Sequence, residues 1–344
     1  MNMNKVNFGI VGCGVASNFH LKAIENFEDA FLYGVYDKNK ENAVKFAEKS
    51  SAKVFETFED MLSDENIDAV IICTPSGLHA QEALEAISHN KHVLIEKPVA
   101  TDIEDARKVY SEALKYNKVV DVVAQLRLSK SVRRIKKALM EERLGKITLV
   151  ELQMVYQRSD EYYSSAPWRG TFKMDGGGAM MNQGIHGMDL LLYLFGQAES
   201  VFGYKDTLIR KIEAEDTAAA VIKFKSGALC TVSATTSVYP GSPRRLRICG
   251  TKGTVVLTED SISEWSVMGE EHDNYVKESG YTSFSKPEAI PDSAHIGVMS
   301  DFLDAIKEGK EPVSTARDGF NAVSLIKSIY KASDERSIIT PEFI

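Results

Sequence analysis

Between Val6 and Ala124 short apolar runs alternate with amphipathic stretches, and few folds accommodate that rhythm. The runs are Val6–Val11, Leu32–Tyr36, Val54–Phe58, Ala69–Cys73, His92–Ile95 and Val119–Ala124. Each is too short for a buried helix and rich in β-branched residues, so each reads as a strand. The intervening stretches carry helical spacing: Asn18–Phe27, with Phe19, Ala23 and Ile24 on one face, then Glu41–Ser50, a helix from Phe58, His79–Asn90 and Asp102–Tyr116. Strand and helix in alternation predict a parallel, doubly wound sheet.

The pattern changes near Gln125, which sets the expected domains at 1–125 and 126–344. Ser129–Arg143 reads as a basic amphipathic helix, with Val132, Ile135 and Leu139 apolar and Lys130, Arg133, Arg134, Lys136 and Lys137 positive. A solvated face explains those cations, and an anionic substrate is the alternative. Strand-like segments follow at Ile147–Val155, Ser200–Asp206, Thr217–Phe224, Ala228–Thr235, Arg244–Cys249 and Gly253–Leu257, with a hairpin turn at Gly227. Few helices separate the later ones, so this part reads as α+β with a largely antiparallel sheet. Two helices close the chain, roughly Ala294–Glu308 and Ala316–Asp334.

A chain of 344 residues with 44% apolar and 26% charged composition is sized for two globular domains with ample core. Its net charge of −8, with no compensating basic cluster, argues against nucleic acid as a partner. Cys13, Cys73, Cys230 and Cys249 are scattered without a CxxC pair, so neither a zinc site nor a disulfide framework is expected. Cys13 and Cys73 flank apolar runs and are expected to be buried and reduced. With neither a signal core nor a membrane-length apolar run, the expected address is the cytoplasm.

The first strand ends in Gly12-Cys13-Gly14-Val15-Ala16-Ser17, and a helix follows. Strand, glycine turn and helix form the context in which a glycine fingerprint binds a dinucleotide. Gly12 permits the tight turn, and Gly14 lets the backbone approach a pyrophosphate at the helix N-terminus. Ser17 replaces the third glycine. Asp37 ends the second strand twenty residues beyond Ser17, placed to accept from the adenosine ribose hydroxyls. It would repel a 2′-phosphate, with only Lys38 and Lys40 nearby to offset it, so NAD is expected over NADP. The alternative for Asp37 is a turn residue in Asp-Lys-Asn-Lys, which the spacing makes the lesser reading. Thr74-Pro75 and His79 follow the fourth strand, where such a turn would line the cofactor; His79 could equally cap or pack its helix.

Val93-Leu94-Ile95 runs into Glu96-Lys97-Pro98, which puts Lys97 where a strand meets the ligand crevice. Pro98 stiffens the turn, and a partly buried lysine there can exchange a proton with a substrate hydroxyl. The plainer reading is a surface lysine at a strand end. Further on, Gly176-Gly177-Gly178 precedes Asn182, His186 and Asp189. The glycines allow close backbone approach, and the spacing predicts Asn182 and His186 on one helical face. His186 is the natural proton acceptor near neutrality, and Asp189 could orient it or anchor the helix.

Gly9 to Gly14, Thr74-Pro75 with His79, Glu96-Lys97-Pro98 and the glycine-rich stretch to His186 and Asp189 together resemble the Gfo/Idh/MocA oxidoreductases. The resemblance covers nearly the whole chain. It implies an N-terminal Rossmann domain, a C-terminal α+β domain with a large open sheet, a homodimer or homotetramer, and nicotinamide-dependent oxidoreduction of a sugar. Lys97 would contact the reacting hydroxyl and His186 would be its acid/base partner. Many members carry aspartate where Asn182 stands; asparagine cannot accept a proton and would only orient the substrate. Gln125, Trp168 and Arg169 resemble positions that border the nicotinamide and the substrate, alongside Glu96. The stretches Glu161–Gly170, Asn182-Gln183 and Ile212–Asp216 also look like members that oxidise C3 of a UDP-N-acetylglucosaminuronate. No metal-ligand spacing is present. Inositols, free aldoses and diketones stay open as substrates, as do an NAD(H)-binding sensor and a lyase or hydrolase that recycles its NAD.

Overall fold

The computed structural model describes residues 5–270 and 292–344. The chain forms two compact units, Met1–Gln125 with Asp292–Phe320, and Leu126–Pro291 with Asn321–Ile344.

In the first unit, β1 (Val6–Val11), α1 (Val15–Ile24), β2 (Ala30–Tyr36), α2 (Lys40–Ser50), β3 (Lys53–Val54), α3 (Phe58–Ser63), β4 (Ala69–Ile72), α4 (Ser76–Ser88), β5 (His92–Ile95), α5 (Ile103–Lys115) and β6 (Val120–Val122) alternate as the sequence predicts. The strands are parallel in the order β3-β2-β1-β4-β5-β6. Chain direction across the sheet reverses between β1 and β4, the place where such sheets open a ligand crevice. The central strands are apolar because helices cover both faces; Phe8, Ile10, Ile71, Ile72, Leu94 and Ile95 are fully buried. Side chains cap α2, α3 and α5: Asn39 accepts from Glu41 N, Thr57 from Asp60 N and Asp102 from Glu104 N. The N-terminus of α1 has no such cap and no acid in its first turn.

The second unit follows a 3₁₀ turn at Gln125–Leu128. It comprises α6 (Lys130–Met140), β7 (Ile147–Val155), α7 (Asp160–Ser164), a π-helical turn Ala179–Gln183, α8 (Ile185–Phe195), β8 (Ala198–Asp206), β9 (Thr217–Phe224), β10 (Leu229–Thr235), β11 (Arg245–Gly250), β12 (Gly253–Thr258) and β13 (Ser261–Val267). Its sheet runs β13-β12-β11-β7-β10-β9-β8, antiparallel throughout except for the β7–β10 pair. Along β7 and β10 one face is buried, with Val150, Leu152, Cys230 and Val232 inward. Leu149, Val221 and Leu229 stay exposed on the other.

Several expectations change. Asp292–Phe320, assigned by sequence to the second domain, packs with the first unit. There α9 (Asp292–Glu308) sets Phe302 against Phe8, and Lys22 pairs with Asp292. α10 (Ala316–Glu335) begins in that unit. The sequence pattern does not predict β13, because Ser261, Ser263, Glu264 and Ser266 dilute its apolar signal, yet Ile262, Trp265 and Val267 are buried. The expected strand Val54–Phe58 shrinks to Lys53–Val54, because Phe55 turns under Gly34, where a Cβ would lie 2.3 Å from its ring. Cys13 and Cys73 are half-buried rather than buried, and all four cysteines are free. Two of the α6 cations are engaged locally: Lys136 donates to Tyr193 O, and the Arg134 guanidinium lies 4.2 Å from the Trp265 ring centroid.

His92, at the start of β5, accepts from Val119 N through Nδ1 at 3.1 Å, which requires a neutral ring. Burial, helped by Lys118, pushes its pKa down to about 4. The unfolded chain takes up this proton near about pH 6.5 and the folded chain does not until about 4, so stability is lost as pH falls through that window. His92→Gln is expected to recover roughly 1–2 kcal/mol of the acid loss. Urea midpoints of both proteins at pH 7.5 and pH 5 check this.

Candidate active site

In the first unit the site is built at the carboxyl ends of β1, β4 and β5. Gly12 has φ +86°, and a Cβ there would lie 2.7 Å from Cys73 C, so β1 can leave the sheet beside the β4 turn only as glycine. An added Cβ at Gly14 meets nothing within 4 Å, and the neighbouring Val15 is exposed. An open glycine backbone leading to an uncapped, acid-free helix N-terminus suits a pyrophosphate. At the end of β2 the Asp37 carboxylate accepts from Cys13 N through Oδ2 and from Asn39 N through Oδ1, both at 2.8 Å. The glycine turn and the acid are thus tied together. Burial, with Asp37 adding to it, pushes the Cys13 thiol up to about 12, so it stays protonated and is no nucleophile. Ser17 is fully buried and donates to Gly14 O, closing the first turn of α1 where the sequence lacks a third glycine.

The Thr74-Pro75 turn opens α4. Thr74 donates to Glu82 at 2.5 Å, and burial pushes the Glu82 carboxyl up to about 7. His79 is buried with Nδ1 2.7 Å from Pro98 O and Nε2 2.8 Å from Thr74 O, so it ties the β4 turn to the β5 turn. Lys97 is half-buried directly after β5. Glu96, beside it, meets His20 of α1 and His295 of α9. Glu96 and His295 lie 76 and 275 positions beyond His20, so no sequence spacing could have announced the three together.

In the second unit the glycine run folds as close backbone. A Cβ on Gly178 would lie 1.9 Å from Glu215 O, so only glycine fits. Glu215 is buried and accepts from Gly178 N and Met180 N at 2.9 Å and from the Tyr330 hydroxyl at 2.5 Å. Burial raises its pKa, and these donors work against that rise. They fix the π-helical turn, and with it comes a correction. Asn182 lies in Ala179–Gln183 and His186 in the first turn of α8, so the two do not share one regular helical face. Gly184 separates them, serving as cap for both.

Asn182 instead belongs to a polar chain. It donates to Asp175, whose second oxygen accepts from Gly170 N. Gln183 donates to Asn182 Oδ1 at 2.7 Å and to the Tyr162 hydroxyl at 2.8 Å, and accepts two bonds from Arg158. Arg169 lies over the Tyr162 ring, 4.2 Å from its centroid, beside Trp168. The acid absent at position 182 is therefore one hydrogen bond away, at buried Asp175. Sequence reasoning missed Asp175, Arg158 and Arg127; Asp175 immediately precedes the glycine run, the one signal available. Asp189 anchors α8: its carboxylate takes a two-bond pair from Arg127, at 2.9 and 2.6 Å, with both side chains buried. Gln125 is buried at the end of the first unit.

Residues 6–124 match the oxidoreductase family's NAD-binding Rossmann fold, and residues 136–340 match its C-terminal alpha/beta domain. The chain belongs to the Gfo/Idh/MocA oxidoreductases. It is 32% identical to the WlbA dehydrogenase of Bordetella pertussis, whose structure contains NADH and UDP-GlcNAcA; the likeness covers 99% of this chain and 100% of that one, with a TM-score of 0.89. It is 25% identical to the myo-inositol 2-dehydrogenase of Thermotoga maritima over 98% of this chain and 99% of that protein. The inositol 2-dehydrogenase of Rhizobium meliloti is 26% identical, over 97% and 99%. As a member of this family the chain is a nicotinamide-dependent dehydrogenase acting on CH–OH groups, and its first unit takes NAD. No helix among the described residues is long and apolar enough to cross a membrane.

Asp189→Ala would leave the Arg127 guanidinium buried without this partner. A loss of about 3–5 kcal/mol is expected, since breaking a buried pair exposes its desolvation cost. Chemical denaturation checks it, and Asp189→Asn should lose less.

Proposed function

We propose that this dehydrogenase oxidises a ring hydroxyl of a nucleotide-linked hexuronate, C3 of a UDP-N-acetylglucosaminuronate being the best candidate. The observation that carries the dehydrogenase chemistry is Lys97, half-buried at the carboxyl end of β5 in the same unit as the Gly12 turn and Asp37. The substrate class is supported by the 32% identity to WlbA over the whole chain and by the Arg158–Gln183–Tyr162 and Asn182–Asp175 bonds. Those groups offer donors and acceptors of the kind a sugar acid requires.

Bound NAD supplies the hydride acceptor. The roles proposed for the chain are complementary. Lys97 donates to the reacting oxygen and stabilises its developing charge, while the His186 imidazole takes the hydroxyl proton as the C–H electron pair leaves. Asn182, held by Asp175 and Gln183, orients the ring. Glu96, Gln125, Trp168 and Arg169 border the cofactor and the substrate, and Asp189 supports α8. Asp37 selects NAD over NADP, with Lys38 beside it. We also propose that the outer face of the second sheet, with Leu149, Val221 and Leu229, forms a homo-oligomer contact. The cytoplasm remains the proposed location.

The test is nicotinamide absorbance with NAD and a panel of UDP-hexuronates, inositols and free aldoses. A rise confined to UDP-hexuronates is expected; a rise with inositols alone would overturn the substrate assignment. Lys97→Ala should lower kcat by roughly 10²-fold or more while changing NADH affinity by less than about threefold. Val221→Lys with Leu229→Lys should reduce the native mass in light scattering to that of a monomer.

A further inference from the structure

Glu96 is an ionised side chain in an unusual setting. Its Oε1 lies 2.9 Å from His20 Nε2 and 3.6 Å from His295 Nε2, and both rings are buried. The rings meet edge to face with centroids 5.1 Å apart, and Phe19 stacks on His295 at 5.0 Å. Nδ1 of each histidine is buried with no hydrogen-bond partner among the described residues.

Those two orphaned atoms decide the protonation state. A bare Nδ1 lone pair costs little in an apolar setting, whereas a buried N–H without an acceptor costs far more. Each proton therefore belongs on Nε2, where it faces Glu96. Burial lowers the His20 pKa; burial also opposes the charge on Glu96, but the two imidazoles outweigh it and hold that carboxyl well below the usual carboxylate range. The same argument bears on a metal ion, since two histidines and a carboxylate converge. A metal would occupy the Nε2 lone pairs and force both protons onto Nδ1, where a ligating histidine normally needs an acceptor and neither ring has one.

We propose that His20 and His295 are positioning residues for Lys97: His20 of α1 donates to the Glu96 carboxylate at 2.9 Å, His295 of α9 stands 3.6 Å from the same oxygen, and together they clamp the carboxylate and fix the turn that presents Lys97. The inference rests on the role proposed for Lys97 above. The turn is tied on both sides of that lysine. Before it, Glu96 N donates to Ile72 O and the Glu96 side chain is clamped; after it, Pro98 O meets His79 Nδ1. Neutral donors satisfy the carboxylate without cancelling its charge, as an arginine would. A full negative charge therefore stays one residue from the Lys97 ammonium. With the backbone held on both sides, Lys97 starts from a fixed origin, and misplacement of about 1 Å is enough to cost on the order of 10²-fold in rate.

The experiment uses the full chain with His20→Leu, His295→Leu, His20→Gln and His295→Gln. Gln returns a neutral N–H near the position of Nε2, and Leu does not. The Leu variants are expected to bind NADH within about threefold of wild type and to lose roughly 10- to 100-fold in kcat; Gln should restore kcat to within about fivefold. Wild-type kcat in folded Leu variants, or equal losses in kcat and NADH affinity for Leu and Gln alike, would overturn the proposal. Imidazole ¹⁵N spectra of the wild type decide the clamp without any substrate. Protonated Nε2 with bare Nδ1 on both rings is expected, and Nδ1–H on either ring, or a stoichiometric transition metal lost in the Leu variants, sinks it. If the wild type oxidises no sugar, the functional reading fails while these spectra still judge the clamp.

Discussion

The approach of one backbone to another at Gly12 is the constraint on which the first unit depends. With φ at +86° and room for no Cβ beside Cys73, this residue lets β1 end level with β4. That proximity makes the switch between β1 and β4 a crevice, with the bare N-terminus of α1 on one side and the Thr74 turn on the other. Asp37 then accepts from Cys13 N and Asn39 N, so the acid at the end of β2 is held by the glycine turn itself. A larger residue at position 12 would disturb all of these together.

Buried polar groups carry the remaining precision, and each finds a partner suited to it. Glu215 gathers two backbone N–H groups and a tyrosine hydroxyl around the glycine run. Asp175 joins Asn182 to the backbone of Gly170. Arg127 and Asp189 close a bidentate pair under α8. Each leaves little conformational freedom, because an unmet buried donor or acceptor costs about as much as several good contacts provide. Glycine runs are flexible in isolation; here Gly178 is pressed against Glu215 O and the run becomes rigid scaffold.

The histidines divide by environment rather than by residue type. His92 accepts a backbone N–H and His20 donates to a carboxylate, and both stay neutral because burial opposes their charge. His79 spans two carbonyl oxygens. His186 is half-buried in the first turn of α8. Histidine content alone would have offered several equal candidates for proton transfer; packing withdraws most of them by fixing their rings in structural bonds.

The parallel sheet, the glycine turn, Asp37 and the position of Lys97 were legible in the sequence. They depend on local signals: β-branched runs of strand length, glycine where φ must be positive, and residues at strand ends. The C-terminal strands were legible for the same reason, apart from β13, whose outward serines and glutamate hid its inward face. What only tertiary structure decided lies between residues far apart in the chain. Helix α9 joins the first unit because its Phe302 finds Phe8, and nothing local to 292–308 says so. The break between Asn182 and His186 depends on Glu215, more than thirty residues on, drawing Gly178 and Met180 into a π-helical turn. Residues 20, 96 and 295 meet because the carboxyl end of β5 and helices α1 and α9 converge, and contact made by packing leaves no period in the sequence.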